Sequence, residues 1–335
     1  MLESIGTLLH GDPVDAVEVK RLRDLILFEE PDLKKSLVKF FCLLILSAGI
    51  ATYGLLSDSV AAVIGAMIIA PLMMPIMGLA FGISIGDSHA MKNSLLVSVG
   101  GILAAIIVGF LLTFPVASFV HPLSIDQIMI RTSPKLLDLL AALVTGLAGA
   151  FAMSRKDVSD TLPGVAIAIS LVPPLANTGI LLATSNFSLA MGSFLLFLTN
   201  YFAILLTGAA LYGIMGFPKV AFNTQSFRAR RKGISIALIL ILLIAVPLAY
   251  TSYQTLIDNN LKENVYEDSN TWLNGTGYTV VSVNTALFND TVVVAVVGNG
   301  NLPPIEQLDQ LLKGKLYGRT LRVEVVNSTI YNLHG

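Results

Sequence analysis

Residues 65–86 read GAMIIAPLMMPIMGLAFGISIG, an apolar stretch long enough to cross a bilayer but interrupted by Pro71 and Pro75. About 20 apolar residues in a helix span the hydrocarbon core. A proline inside a helix removes one hydrogen bond and clashes with the preceding turn. In hydrocarbon the freed carbonyl must be met by protein or by water, so a broken membrane helix persists only in a protein interior or a cavity wall. Residues 164–183, GVAIAISLVPPLANTGILLA, carry the same device at Pro173 and Pro174. A matched pair of interrupted segments points to the binding site of a transporter.

The two stretches belong to a longer correspondence. A shift of 99 residues, without gaps, lays Gly65 on Gly164, Ile68 on Ile167, Leu72 on Leu171 and Pro75 on Pro174. It also lays Ser94 on Ser193, Leu96 on Leu195, Ala104 on Ala203 and Gly109 on Gly208. Around these anchors, seven stretches meet the length rule, near 37–56, 60–86, 93–115, 136–153, 162–184, 189–215 and 233–252. The first six form two units of three. An odd number of spans per unit requires the copies to insert with opposite orientation, so the expectation is a 3+3 inverted repeat.

Composition agrees with a membrane chain. Of 335 residues 54% are hydrophobic and 13% charged, against about a quarter charged in soluble domains. The net charge of −1 and the lack of a basic stripe argue against nucleic acid as a partner. One cysteine, Cys42, excludes a disulfide or a zinc cluster within one chain. The polar first 36 residues lack the apolar core of a cleaved signal peptide. Val14, Val17, Leu22, Leu25 and Ile26 there fall at helical spacing, either as a helix on the membrane surface or as one packed on its own protein. Asp32 is placed to cap the first span.

Basic residues set the orientation. With the N-terminus cytoplasmic, the inside segments hold fourteen, including Lys34, Lys35, Lys39, Lys92, Arg155 and the cluster from Arg228 to Lys232. The short outside loops hold two, Arg131 and Lys135. The expected location is a multi-pass cell membrane protein whose tail after residue 252 lies outside. In that tail, residues 278–284, 291–297 and 321–327 read as strands and 303–312 as a helix, a small β-β-α-β domain. Asn274, Asn289 and Asn327 begin glycosylation sequons, a pattern frequent by chance. The expected division is 1–36, repeat units at 37–115 and 116–215, a basic loop and seventh span at 216–252, and the outer domain at 253–335.

Candidate binding residues follow from the breaks. Pro71, Met74, Pro75, Pro173 and Pro174 would expose backbone carbonyls, such as those of Met67 and Ala70, at half-helix ends that carry partial charge. The plain structural reading is a pair of kinks satisfied by neighbouring helices. Ser170, Asn177, Thr178, Thr199 and Asn200 are polar side chains at membrane depth, facing either a cavity or a neighbouring helix. Gly78, Gly82 and Gly86 recur every fourth residue, and close helix packing is the better reading. Arg131 and Asp138 are read as interfacial, pairing across the start of the fourth span. Met67, Met73, Met74 and Met77 read as packing rather than copper ligands. The scattered histidines and the absence of a phosphate loop give no catalytic residue, no metal site and no cofactor.

Four blocks carry a family resemblance: VIGAMIIAPLMMPIMGLAFGISIGD (63–87), RTSPKLLDLLAALVTGLAGAFA (131–152), LPGVAIAISLVPPLANTGI (162–180) and FLLFLTNYFAI (194–204). They resemble the membrane core of the family catalogued as domain of unknown function 389, polytopic membrane proteins of bacteria and archaea. The resemblance covers about residues 37–217 and not the tail. It implies the architecture and carries over no substrate or functional residue.

The expectation is therefore an α-helical polytopic membrane protein with a small extracytoplasmic α+β domain, transporting a small polar or ionic solute between its two repeats. The expected partners are membrane lipid, the solute or ion, and a second copy of the chain. A scaffold or sensor acting through the outer domain and oligomerisation is the alternative.

Overall fold

The computed structural model describes residues 14–156, 171–220, 226–286 and 291–327. It is mostly helical and divides into two compact units, Met1–Ala249 and Tyr250–Gly335.

In the first unit, α1 (Ala16–Ile26) is followed by α2 (Leu33–Leu56), α3 (Val60–Ile69), α4 (Met73–Ile85) and α5 (Ser88–Thr113). Next come a short α6 (Asp126–Met129), α7 (Leu136–Ser154), α8 (Val172–Ala183), α9 (Phe187–Met215) and α10 (Phe217–Val220). The long α11 (Ser226–Trp272) covers residues 233–252, the stretch read as a seventh span. Among the described residues, four helical stretches are long and apolar enough to cross a membrane: α2, α5 with the turn after it, α7 and α9. The α3–α4 pair makes a fifth if it counts as one span, bent by 48° at its break. The first half of the expected fifth span, up to Ser170, lies outside the described residues; its second half is α8.

On α5 the buried positions are Ala90, Ser94, Val97, Ser98, Gly101, Ala105, Gly109 and Thr113, mostly small or hydroxylated, while Leu95, Leu103, Ile107 and Leu111 face outward. Small and hydroxylated residues inside with large aliphatics outside are what lipid-facing helices need, because lipid does not drive leucine inward. Helix α1 turns Val19, Leu22 and Ile26 into the main core and leaves Val17 exposed, so it packs on its own protein. Asp15 caps it by accepting from the Glu18 N–H at 2.8 Å. Asp32 precedes α2 as expected, but its side chain makes no capping bond.

The second unit holds β1 (Tyr278–Ala286), β2 (Thr291–Gly298), α12 (Ile305–Leu311) and β3 (Thr320–Asn327). The sheet order is β1-β2-β3, antiparallel then parallel. The parallel step needs a crossover, which α12 supplies. Val292, Val294 and Val296 alternate into a core with Leu308, Leu312, Leu261, Val265 and Trp272. The Trp272 indole N–H donates to the Pro304 carbonyl at 3.1 Å.

Candidate functional site

The first break is set by Pro71. Ala70, the residue before it, is extended (φ −65°, ψ 122°), because a following proline disfavours the helical region. The chain turns once, with the Met74 N–H donating to the Pro71 carbonyl at 3.1 Å, and α4 begins at Met73. Pro75 therefore lies in the first turn of α4, and Pro173 and Pro174 lie in the first turn of α8. This corrects the expectation that each proline frees a carbonyl within a continuing helix. First-turn N–H groups have no partner inside the helix, so a proline there sacrifices none. Three of the four prolines start half-helices, and only Pro71 occupies a break.

Polar side chains gather on the second half-helix. Asn177, fully buried, donates through Nδ2 to the Ile128 carbonyl and to Ser193 Oγ, each at 3.1 Å. Ser193 in turn donates to the Pro174 carbonyl at 3.0 Å, which also accepts from Thr178 Oγ1 at 2.8 Å. Asn177 Oδ1 is buried with no hydrogen-bond partner, a costly state for an amide oxygen. Thr178 thus bonds back within its own helix, as Thr199 does to the Leu195 carbonyl at 2.8 Å. Asn200 is buried on α9, on the helix that carries Ser193. Ser170 lies outside the described residues. Ser193 and the Ile128 carbonyl were not among the expected site residues. The pairing of Ser94 with Ser193 in the 99-residue shift was the available signal for the former.

The same shift recurs in the geometry. Helices α4 and α8 start at Met73 and Val172, and α5 and α9 start at Ser88 and Phe187. Gly86 (φ 75°) and Ser185 (φ 60°) are left-handed at matching positions. The bonds from the Asp87 N–H to the Gly82 carbonyl (2.9 Å) and from the Asn186 N–H to the Leu181 carbonyl (2.8 Å) match as well. Contacts between the halves exchange partners. A Cβ on Gly109 of α5 would meet Ala176 of α8, and one on Gly208 of α9 would meet Met77 and Ala80 of α4. Ala176 and Gly179 are the positions that the shift pairs with Met77 and Ala80, and a Cβ on Gly179 would touch Gly109.

Gly78 and Gly82 lie where α4 meets its neighbours: a Cβ on Gly78 would stand 2.6 Å from Ser94 Oγ, and one on Gly82 2.9 Å from Met91 Cγ. Gly86 serves differently, ending α4 in the left-handed conformation. Met73 and Met77 are buried, fitting the bare backbones of Gly149 and Gly208, while Pro71 and Met74 are half-buried.

Charged groups lie at the helix ends. Arg21 donates to the Met153 and Ser154 carbonyls (3.2 and 2.9 Å), satisfying the C-terminal end of α7. Arg23 pairs with Glu29 at 3.0 Å and with Asp87 at 3.1 Å. Burial works against the Arg23 charge, but the two carboxylates outweigh it and raise its pKa above the usual arginine value. Arg131 and Asp138 do not pair, contrary to expectation. Asp138 accepts the Lys135 backbone N–H at 2.8 Å, closing the first turn of α7, and Arg131 bonds to Gln127. Among the described residues no three potential metal-ligating His, Cys, Asp or Glu side chains come together.

Against known proteins, residues 67–206 match the profile of the family described as Domain of unknown function (DUF389). An uncharacterized protein of Methanocaldococcus jannaschii is 28% identical over 176 residues, which are 52% of this chain and 53% of that protein. The chain thus spans about half the length of the curated relative it matches. The matched segment holds the break at Pro71, the start of α8, Asn177, Ser193 and Asn200. Over residues 67–206 the chain is thus similar to the domain of unknown function 389 family.

Proposed function

We propose that the protein is a multi-pass membrane transporter, a carrier or channel-like pathway, for a small polar or ionic solute. Its site lies between two inverted repeats, where α4 and α8 begin. The observation that carries this reading is the exchange of contacts: Gly109 meets Ala176 while Gly208 meets Met77, each the image of the other under the 99-residue shift. An operation that swaps two units and their partners is a two-fold rotation. With an odd number of spans per unit, that axis lies in the membrane plane, the arrangement of many secondary transporters. Half-helix N-termini then converge near mid-bilayer and present N–H groups to a solute. In this reading the basic loops are cytoplasmic and the β-β-α-β domain is outside.

A test follows from reconstituting the full chain in liposomes and mixing them rapidly into iso-osmotic potassium chloride, sodium phosphate, glycerol or glycine. Swelling reports entry without a label. At least one solute should swell loaded vesicles faster than empty ones, and Pro71→Ala, which lets α3 continue through its break, should abolish the difference. Equal swelling of loaded and empty vesicles in every solute sinks the transport reading.

The second reading is a non-transporting scaffold or sensor. One observation favours it: Leu72, Met73, Leu171 and Val172, flanking both breaks, are each 5% exposed or less. In that case Pro71→Ala leaves assembly unchanged, and no solute enters.

A further inference from the structure

Arg131 is a half-buried cation with no counter-charge among the described residues. Its Nη1 donates to the Gln127 carbonyl and, at 3.1 Å, to Gln127 Oε1. Its Nε is shut off from solvent and has no acceptor. No carboxylate lies within ion-pair distance of it among the described residues. Two acids of the neighbouring turns are otherwise engaged: Asp138 by the Lys135 N–H, and Asp58 by the Gln127 N–H at 2.8 Å. Burial lowers the Arg131 pKa with no carboxylate to offset it. A guanidinium donates through five N–H groups in a rigid fork, whose Nε–Nη2 edge matches a carboxylate or oxyanion bidentately. Here that edge is the one that protein atoms leave unanswered, and a buried cation is stable only when paired.

The position of Arg131 gives this edge a use. Three residues earlier, the Ile128 carbonyl accepts from Asn177 of α8. One residue later, the Thr132 carbonyl lies so close to α9 that only Gly192 fits against it. The stretch that holds Arg131 is therefore fastened to both helices of the second polar network.

We infer that Arg131 binds a small anion, a carboxylate or a tetrahedral oxyanion, through its Nε and Nη2 edge beside the Asn177–Ser193 network. The substrate class of the proposed pathway is then anionic. This assignment rests on the transport reading for what the anion does, and on Arg131 alone for its binding. The anion has two sources, a dissolved oxyanion or a lipid phosphate, and the chemistry of recognition is shared.

The experiment uses the purified full chain in neutral detergent. Apparent melting temperature is followed against sodium phosphate, sodium sulfate and sodium acetate, with sodium chloride matching the ionic strength. A parallel arm compares nanodiscs of phosphatidylcholine with and without phosphatidylglycerol. Binding to the folded state raises the apparent melting temperature. At least one oxyanion should stabilise the wild type saturably. Arg131→Lys, which keeps the charge but loses the fork, should bind it about tenfold or more weakly, and Arg131→Gln should not respond. If only phosphatidylglycerol stabilises, and does so through Arg131, the bound anion is a lipid headgroup and the binding assignment holds. If Arg131→Gln does not fold, the comparison of wild type with Arg131→Lys decides. Equal responses of those two to every probe overturn the inference. Binding without vesicle swelling keeps the anion site and removes transport; swelling without Arg131-dependent binding does the reverse.

Discussion

Replacing Gly179 by alanine would set a Cβ 2.3 Å from the Ile106 carbonyl oxygen, 2.6 Å from the Phe110 nitrogen and 2.9 Å from the Gly109 carbonyl carbon. All three atoms are backbone of α5, so no side chain can swing aside. Ordinary contact begins at 3.4 Å, so α8 and α5 must separate locally by about 1 Å. Overpacking a tight interior costs about 1–3 kcal/mol and occasionally more. Glycine to alanine within a helix recovers only about 0.5–1 kcal/mol. The net expectation is a loss of about 1–2 kcal/mol, a fall of several degrees in apparent melting temperature. Gly109→Ala, whose Cβ would stand 2.5 Å from the Ala176 carbonyl oxygen, should behave alike. The double variant should lose less than the two singles combined, because one separation relieves both clashes. Gly65 is the control: it lies within α3 and has nothing within 4 Å, so its alanine variant should be neutral or stabilising. The assay is the temperature at which half of the monodisperse protein is lost on size exclusion after heating. Gly179→Ala matching the wild type, or Gly65→Ala falling as far as Gly179→Ala, would refute the close α5–α8 approach.

Three further outcomes are expected. Asn177→Ala removes two hydrogen bonds and leaves the Ile128 carbonyl with the Arg131 N–H alone, at 3.2 Å, whereas Ser193→Ala leaves Asn177 on Ile128 and Thr178 on Pro174. At roughly 0.6–2 kcal/mol per bond within a membrane bundle, Asn177→Ala should lower the melting temperature more; the reverse order sinks the network as drawn. Asp87→Asn keeps an acceptor for the His89 and Ala90 N–H groups but loses the ion pair with Arg23, whereas Asp87→Ala loses both. The half-exposed pair contributes about 0–1 kcal/mol and the cap about 1 kcal/mol, so alanine should cost more in the same melting assay. In the second unit, Leu308→Ala empties a fully buried position at about 2–5 kcal/mol. Trp272 is the one tryptophan and shares that core, so the midpoint of denaturation read by its fluorescence should fall; an unchanged midpoint removes Leu308 from the core.

Much of the helix layout was legible because it rests on local physics. Pro71 forces Ala70 out of the helical region whatever surrounds it, so the first break was visible. The strands of the second unit alternate because a half-buried sheet demands it. Other features were misread for identifiable reasons. Spacing alone reads Pro75, Pro173 and Pro174 as interruptions, because their distance from a helix start depends on where the turn falls, which spacing does not disclose. Gly86 continued a four-residue rhythm in sequence, yet the helix ends there and the residue serves the turn. Arg131 and Asp138 were expected to meet across the start of the fourth span, but the helix begins only at Leu136 and Asp138 turns back to cap it on the Lys135 N–H.

Hydropathy, the proline positions and the 99-residue correspondence came from the sequence alone, since each depends on neighbours along the chain and on the cost of bare backbone in hydrocarbon. Which oxygen answers Asn177, which backbone lies against Gly179, and that no acid among the described residues reaches Arg131 were decided only by the tertiary structure. The first joins residues 49 positions apart, Asn177 and Ile128, and separations of that size leave no local trace.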